Sequence, residues 1–339
     1  MLLEILKQHM LLPEKEFFIN KTFEIDGVSA ILLSITSHCD KNILWVMYHQ
    51  PAINLEEAEE EIENTTNRKD MIRNIYRNSA QDFNFYEIKI QGQKMTFSSS
   101  SASTVYDNNI DAYMQLQHFI EHGMNVGPLD KIDLSNIVIA AYEQSDNEEL
   151  PQIDLSKNLD IIIKIDESYK EVLINQPLHL ELGNMEKGKK FYFYDSINKV
   201  DRFFFVDSIE HYDIWQKAEL HFSNEKMKGF SKEEIEKMKK QHLKGVEETC
   251  PKGMDLAIIK YEAEDNIQLN FYSKEFLEKK RIFKSSASFL FFASHGEMGI
   301  NSLESQICML KPIPKDFKGS MDIELFSWIM KIPEYSIEV

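Results

Sequence analysis

The sharpest chemical signal in the chain is the pentad His118-Phe119-Ile120-Glu121-His122. On a helix, positions i and i+4 share one face, so His118 and His122 can ligate a single Zn²⁺. Glu121 beside them would act as general base toward a metal-bound water, whose pKa the ion lowers to about 7. This spacing, HxxEH, is the inverted zinc-peptidase pattern. That pattern takes a third ligand from a later helix, typically Glu. Here Glu143, Glu148 and Glu149 fall in or beside a strand or loop, and Glu210, next to His211, follows a strand. The competing expectation is two histidines near a helix end, where an imidazolium complements the macrodipole.

Other constellations carry less. His38-Cys39-Asp40 sets a thiol between an imidazole and a carboxylate, but successive strand residues point to opposite faces, so neighbours pair poorly. Cys250 follows Glu247-Glu248, and nearby negative charge raises a thiol pKa. Ser294-His295-Gly296-Glu297 holds Ser, His and acid in a loop, without the glycines that flank a nucleophile elbow. Phe191-Tyr192-Phe193-Tyr194 and Phe203-Phe204-Phe205 make an aromatic hairpin. Alternation puts Phe191 and Phe193 on one face and Tyr192 and Tyr194 on the other. The hairpin is expected to be buried between two layers, with a stacking platform as the functional alternative.

The elements that must position these groups belong to an acidic chain. Its 339 residues hold 38 Lys+Arg and 56 Asp+Glu, a net charge of −18. Residues 1–150 hold 11 Lys+Arg against 24 Asp+Glu, a net charge of −13. Such a surface repels polyanions, and only five of the basic residues are Arg, so nucleic acid is not the expected partner. Glycine is scarce, 12 in all, and no GxGxxG, GxxxxGK[ST] or GxSxG is present, which argues against the common nucleotide-dependent enzymes. Three unpaired-looking cysteines, Cys39, Cys250 and Cys308, fit a reducing, cytoplasmic compartment. No apolar run reaches the roughly 18 residues of a membrane span. Met1 to Met10 carries Glu4, Lys7 and His9 among its leucines, unlike a signal peptide.

Strand-like alternation dominates. The expected strands are Phe18-Ile19, Thr22 to Ile25, Val28 to Ile35 beyond a turn at Asp26-Gly27, Ile43 to Tyr48, Phe83 to Ile90 and Met95 to Phe97. Further on come Ile137 to Tyr142, Leu159 to Ile165, Lys190 to Tyr194, Arg202 to Val206, Leu256 to Glu262 and Ile267 to Tyr272. Ser288 to Ala293, Gln306 to Leu310 and Tyr335 to Val339 complete the series. Ser98 to Ser103 reads as a polar loop. Helices are expected over Leu55 to Arg77, over Ile110 to His122 with a stop at Gly123, over Lys232 to Glu247 behind a Ser231/Glu234 capping box, and over Lys274 to Lys280.

The expected fold is therefore α+β: predominantly antiparallel sheet with a few amphipathic helices, arranged in two lobes, 1–150 and 151–339. An irregular acidic stretch, Gln144 to Lys157, marks the boundary. Two functions follow. The first is a non-catalytic cytoplasmic interaction protein, an acidic inhibitor, immunity or assembly factor whose protein partner has a basic surface, needing no cofactor, nucleic acid or membrane. The second is a zinc-dependent hydrolase with His118 and His122 as ligands and Glu121 as base. Whether the chain is an enzyme stays open at this point.

Overall fold

The computed structural model describes residues 3–38, 41–50, 67–77, 83–105, 109–146, 148–221, 231–280 and 297–339. Strand accounts for 53% and helix for 22%. Antiparallel sheet thus predominates as expected, and α+β fits the chain only loosely. Two compact units are present. The first is Met1–Glu59, Asn78–Ser168 and Lys331–Val339; the second is Glu60–Arg77 and Tyr169–Met330.

The first unit is one curled, half-barrel sheet. Its strands are β1 (Lys15–Ile25), β2 (Val28–His38), β3 (Lys41–His49), β4 (Phe85–Ile90), β5 (Gln93–Thr104), β6 (Ile137–Gln144), β7 (Ile161–Ile165) and β15 (Tyr335–Glu338). They lie in the order β1-β2-β3-β6-β5-β4-β7-β15, and the registered pairs are antiparallel. The tight turns at Asp26-Gly27 and Gln91-Gly92 have positive φ at both residues, 50° and 78°, then 52° and 78°. That is the geometry whose twist matches paired strands.

Curling encloses a core in which Leu32, Leu44, Val46, Phe85, Ile88, Ala140 and Ile163 meet. The edge strands approach each other across the curl. Lys21 Nζ on β1 donates to the Val339 carbonyl at 2.7 Å, and the Tyr335 hydroxyl on β15 donates to Asp26 Oδ2 at 2.8 Å. Helix α1 (Leu3–His9) reaches α3 (Ile110–Glu121) through His9 Nδ1 and Asp111 Oδ1, 2.7 Å apart. On the outside of the sheet α3 packs Ala112, Leu116 and Phe119 onto Ile31, Leu33, Trp45 and Met47. β2 and β3 are therefore covered on both faces, which explains their unbroken apolar sequence. Ser98 to Ser103, expected as a loop, is strand: it lies in β5, paired with β6 from Ser99↔Glu143 to Ser103↔Ile139. Its side chains stay largely exposed, so the ladder, and not side-chain propensity, decides its conformation. Gln144 to Lys157 joins β6 to β7.

The second unit is a sandwich. One sheet runs β13 (Ser305–Pro314), β11 (Met254–Ala263), β10 (Val200–Tyr212), β9 (Gly183–Asp195); the other runs β12 (Gln268–Ser273), β14 (Ser320–Ile332), β8 (Ser168–Glu181). Phe193, Phe204, Val206 and Ile259 from the first meet Leu180, Phe271, Ile323 and Leu325 from the second in one core. Helices α4 (Ile214–His221) and α5 (Lys232–Thr249) bury Ile214, Ala218 and Val246 with Cys250 and Leu256. Helices α2 (Arg68–Arg77) and α6 (Lys274–Glu278) cover Phe326 of β14 with Ile72 and Leu277.

The aromatic hairpin departs from expectation. Phe193 and Phe204 are buried in the sandwich, but Tyr192 and Tyr194 are each 58% exposed. At its tip only the inner face is covered.

Candidate metal centre

Helix α3 opens on Asn109, whose side chain accepts the Ala112 N–H, and closes on His122 followed by Gly123 at φ +85°. Burial of Leu116 and Phe119 fixes its rotation. His118 therefore stands at the margin of the buried stripe and His122 one turn further along the same face. Strand β1 passes beneath. Phe17 turns toward the half-barrel core, while Phe18 packs with the outer, helix-covered cluster. Alternation puts Glu16 on the same outer face as Phe18.

The three side chains converge. Glu16 Oε2 lies 3.1 Å from His118 Nε2 and 3.9 Å from His122 Nε2, and the imidazole centroids are 4.1 Å apart. One ligand-type atom from each residue lies within 4.8 Å of the other two. A tetrahedral ion with metal–ligand distances of about 2.0–2.1 Å sets its ligand atoms about 3.3 Å apart, so small side-chain adjustments suffice to close around one. His122 Nδ1 donates to the His118 carbonyl at 2.7 Å. That bond puts the proton on Nδ1 and leaves the Nε2 lone pair of the neutral ring toward Glu16. Glu16 and His118 side chains are 13% and 12% exposed, His122 47%, so the cluster opens to solvent on the His122 side. Glu16 Oε1 is buried without a hydrogen-bond partner. Among the described residues, no fourth His, Cys, Asp or Glu joins the group.

His118 and His122 are thus brought together, and Glu121 is not with them. Glu121 is exposed and accepts a hydrogen bond from Gln117 Nε2 at 2.8 Å. Glu143 pairs with Lys41, Glu148 accepts from Thr96, and Glu210, in the second unit, pairs with Lys260. The third ligand-type residue, Glu16, comes from a strand about a hundred residues upstream. Its only trace in the sequence is an acid directly before two phenylalanines, Glu16-Phe17-Phe18, and the packing of β1 against α3 is invisible there.

Among the described residues, no other candidate group assembles into a site. Cys250 is buried, and burial, then Asp255 and Asp213, push its thiol up. Cys39, Asp40, Ser294 and His295 lie outside the described residues, as do the expected strand Ser288 to Ala293 and the first part of the helix Leu55 to Arg77. Among the described residues no helix is long and apolar enough to cross a membrane. Comparison with protein-family models, with curated proteins and with solved structures yields no match.

Proposed function

We propose that this chain is a non-catalytic protein that binds a divalent transition-metal ion, Zn²⁺ by the character of its donors, through Glu16, His118 and His122. The observation that carries the proposal is the convergence of those three side chains from β1 and α3. Two imidazoles and a carboxylate suit Zn²⁺ and leave a fourth position for water or an outside donor, and the exposed edge at His122 is where that position falls. A hydrolase needs a base beside the ion. Glu121, bonded to Gln117, gives that role no support. The net charge of −18 supports the companion reading, a cytoplasmic interaction protein whose partner is basic and is not nucleic acid.

Metal analysis of the purified chain tests the proposal. About one Zn²⁺ per chain is expected after loading and desalting, lost in His118→Ala and His122→Ala, weakened in Glu16→Gln and retained in Glu121→Gln. Less than about half an equivalent in the parent protein, or unchanged content in His118→Ala, overturns it.

A further inference from the structure

In the sandwich, two carboxyl groups lie under a tight turn. Phe204 and Val206 of β10 point into the core, so Phe205 and its register partner Glu262 on β11 face outward. Glu262 is nevertheless fully buried, and Asp207 next to it is 6% exposed. The pairing of β10 with both β9 and β11 shifts between Val206 and Ser208. Asp207 is therefore the extra residue of a bulge, which re-aims its side chain.

The covering turn runs from 297 to 305. Met298 bridges Glu304, the Gly299 N–H donates to the Leu303 carbonyl at 2.8 Å, and the Ser305 N–H donates to the Glu297 carbonyl at 2.9 Å. Glu262 binds this turn with both oxygens. Asn301 donates to Oε1 through its backbone N–H at 2.8 Å and its Nδ2 at 3.1 Å, and the Leu303 N–H donates to Oε2 at 2.8 Å. Asn301 Nδ2 also lies 3.5 Å from Asp207 Oδ1. Two glycines permit the approach. A side chain at Gly299 would overlap the Glu262 carboxyl, and a Cβ at Gly188 of β9 would stand 2.5 Å from Asn301 Nδ2.

With three N–H donors aimed at it, Glu262 acts as the carboxylate. Asp207 then sits beside a negative charge out of water, a position that favours its protonated form as donor to Glu262. Burial first, then Glu262, push the Asp207 carboxyl up to about 7. Lys260 acts in the opposite sense and is itself paired with Glu210 at 2.8 Å.

We propose that Asp207 and Glu262 form a proton-dependent clasp, which holds the 297–305 turn on the sheet while one proton is shared and releases it when both groups are ionised. Docked, the turn presents Met298 and Ile300 at 68% and 61% exposure in fixed positions, and release withdraws that presentation. A carboxyl that titrates higher docked than free strengthens docking as pH falls from about 7 toward about 4, and weakens it as pH rises through that window.

Hydrogen exchange of the 297–305 segment in the full chain, read by mass spectrometry and corrected for intrinsic rates, is the test. Protection is expected to fall tenfold or more between about pH 5.5 and about pH 8.5. In Asp207→Asn, which keeps a donor without a charge, protection is expected to be high at both. Equal protection at the two pH values in the parent chain, or the same fall in Asp207→Asn, overturns the clasp. Should that variant not fold, a carbon-13 titration of the parent Asp207 carboxyl decides: a midpoint near neutrality supports the clasp, and one near the ordinary value of about 3.9 removes it.

Discussion

The Nδ1–H of His122 points at the carbonyl of His118, 2.7 Å away, one helical turn back. A carbonyl only accepts, so the bond dictates which ring nitrogen stays free, and that nitrogen is the one turned toward Glu16.

An ion held by Nε2 of both rings competes with protons for the same lone pairs. Zn²⁺ affinity is therefore expected to weaken as pH falls, with protons released on binding, as competition with a chromophoric chelator will measure. An affinity that does not change with pH excludes the imidazoles as ligands.

The seam between β1 and β15 is held by individual side-chain bonds. Burial, then Asp26 as acceptor, raise the Tyr335 phenol, in keeping with a hydroxyl that donates throughout the neutral range. Tyr335→Phe should cost about 1 kcal/mol in urea unfolding at neutral pH. Deleting Tyr335–Val339 removes β15 from β7 as well and should cost several times as much. Wild-type stability in Tyr335→Phe would show that the phenol contributes nothing to closure.

Asp195 anchors the β9–β10 turn. It is fully buried and accepts from the Ile197 and Asn198 N–H groups, Asn198 Nδ2 and Arg202 Nε, all within 2.8–3.0 Å. Burial alone would raise its carboxyl, but the Asn198 and Arg202 donors outweigh burial and hold it below the usual range. Because the folded value is depressed, its contribution is present above about pH 4 and is lost as pH falls further. Asp195→Ala should cost roughly 3 kcal/mol at pH 7 by leaving the Arg202 Nε–H and the turn amides without their acceptor, while Arg202 keeps Asp265. The difference between variant and parent should shrink in melts toward about pH 3; a constant difference refutes the assignment.

Phe119 is fully buried against Trp45, with ring centroids 5.8 Å apart. Phe119→Ala should destabilise the first unit by about 3–5 kcal/mol. It should also weaken Zn²⁺ binding, since the rotation of α3 aims His118. Full metal affinity in a folded Phe119→Ala chain would mean that the two histidines are positioned by something other than helix packing.

Much of this architecture is readable from local chemistry. Asp26-Gly27 and Gln91-Gly92 announce their hairpins because few other pairs adopt positive φ cheaply, and Ser231 with Glu234 forms the expected capping box. Elsewhere tertiary context overrides the local pattern. β8 and β14 are not among the expected strands. In β14, Phe326 is buried under helices while Ile323 and Leu325 enter the sandwich, so burial on both faces erases the alternation that marks a strand. Tyr192 and Tyr194 read as covered because a continuous aromatic run resembles a two-sided core. The site is half-legible for a related reason. His118 and His122 are linked by helical spacing, whereas Glu16 joins them only through the packing of α3 on β1.

The strand that completes the half-barrel has a consequence for biosynthesis. β15 leaves the ribosome only after the described strands of the sandwich have been made, so the nascent first unit must wait with its β7 edge unpaired while the second already has those strands. An exposed β7 backbone is a template for misplaced pairing with other chains. Synthesis that stalls before Tyr335 therefore releases a polypeptide with a finished sandwich and an open, adhesive sheet.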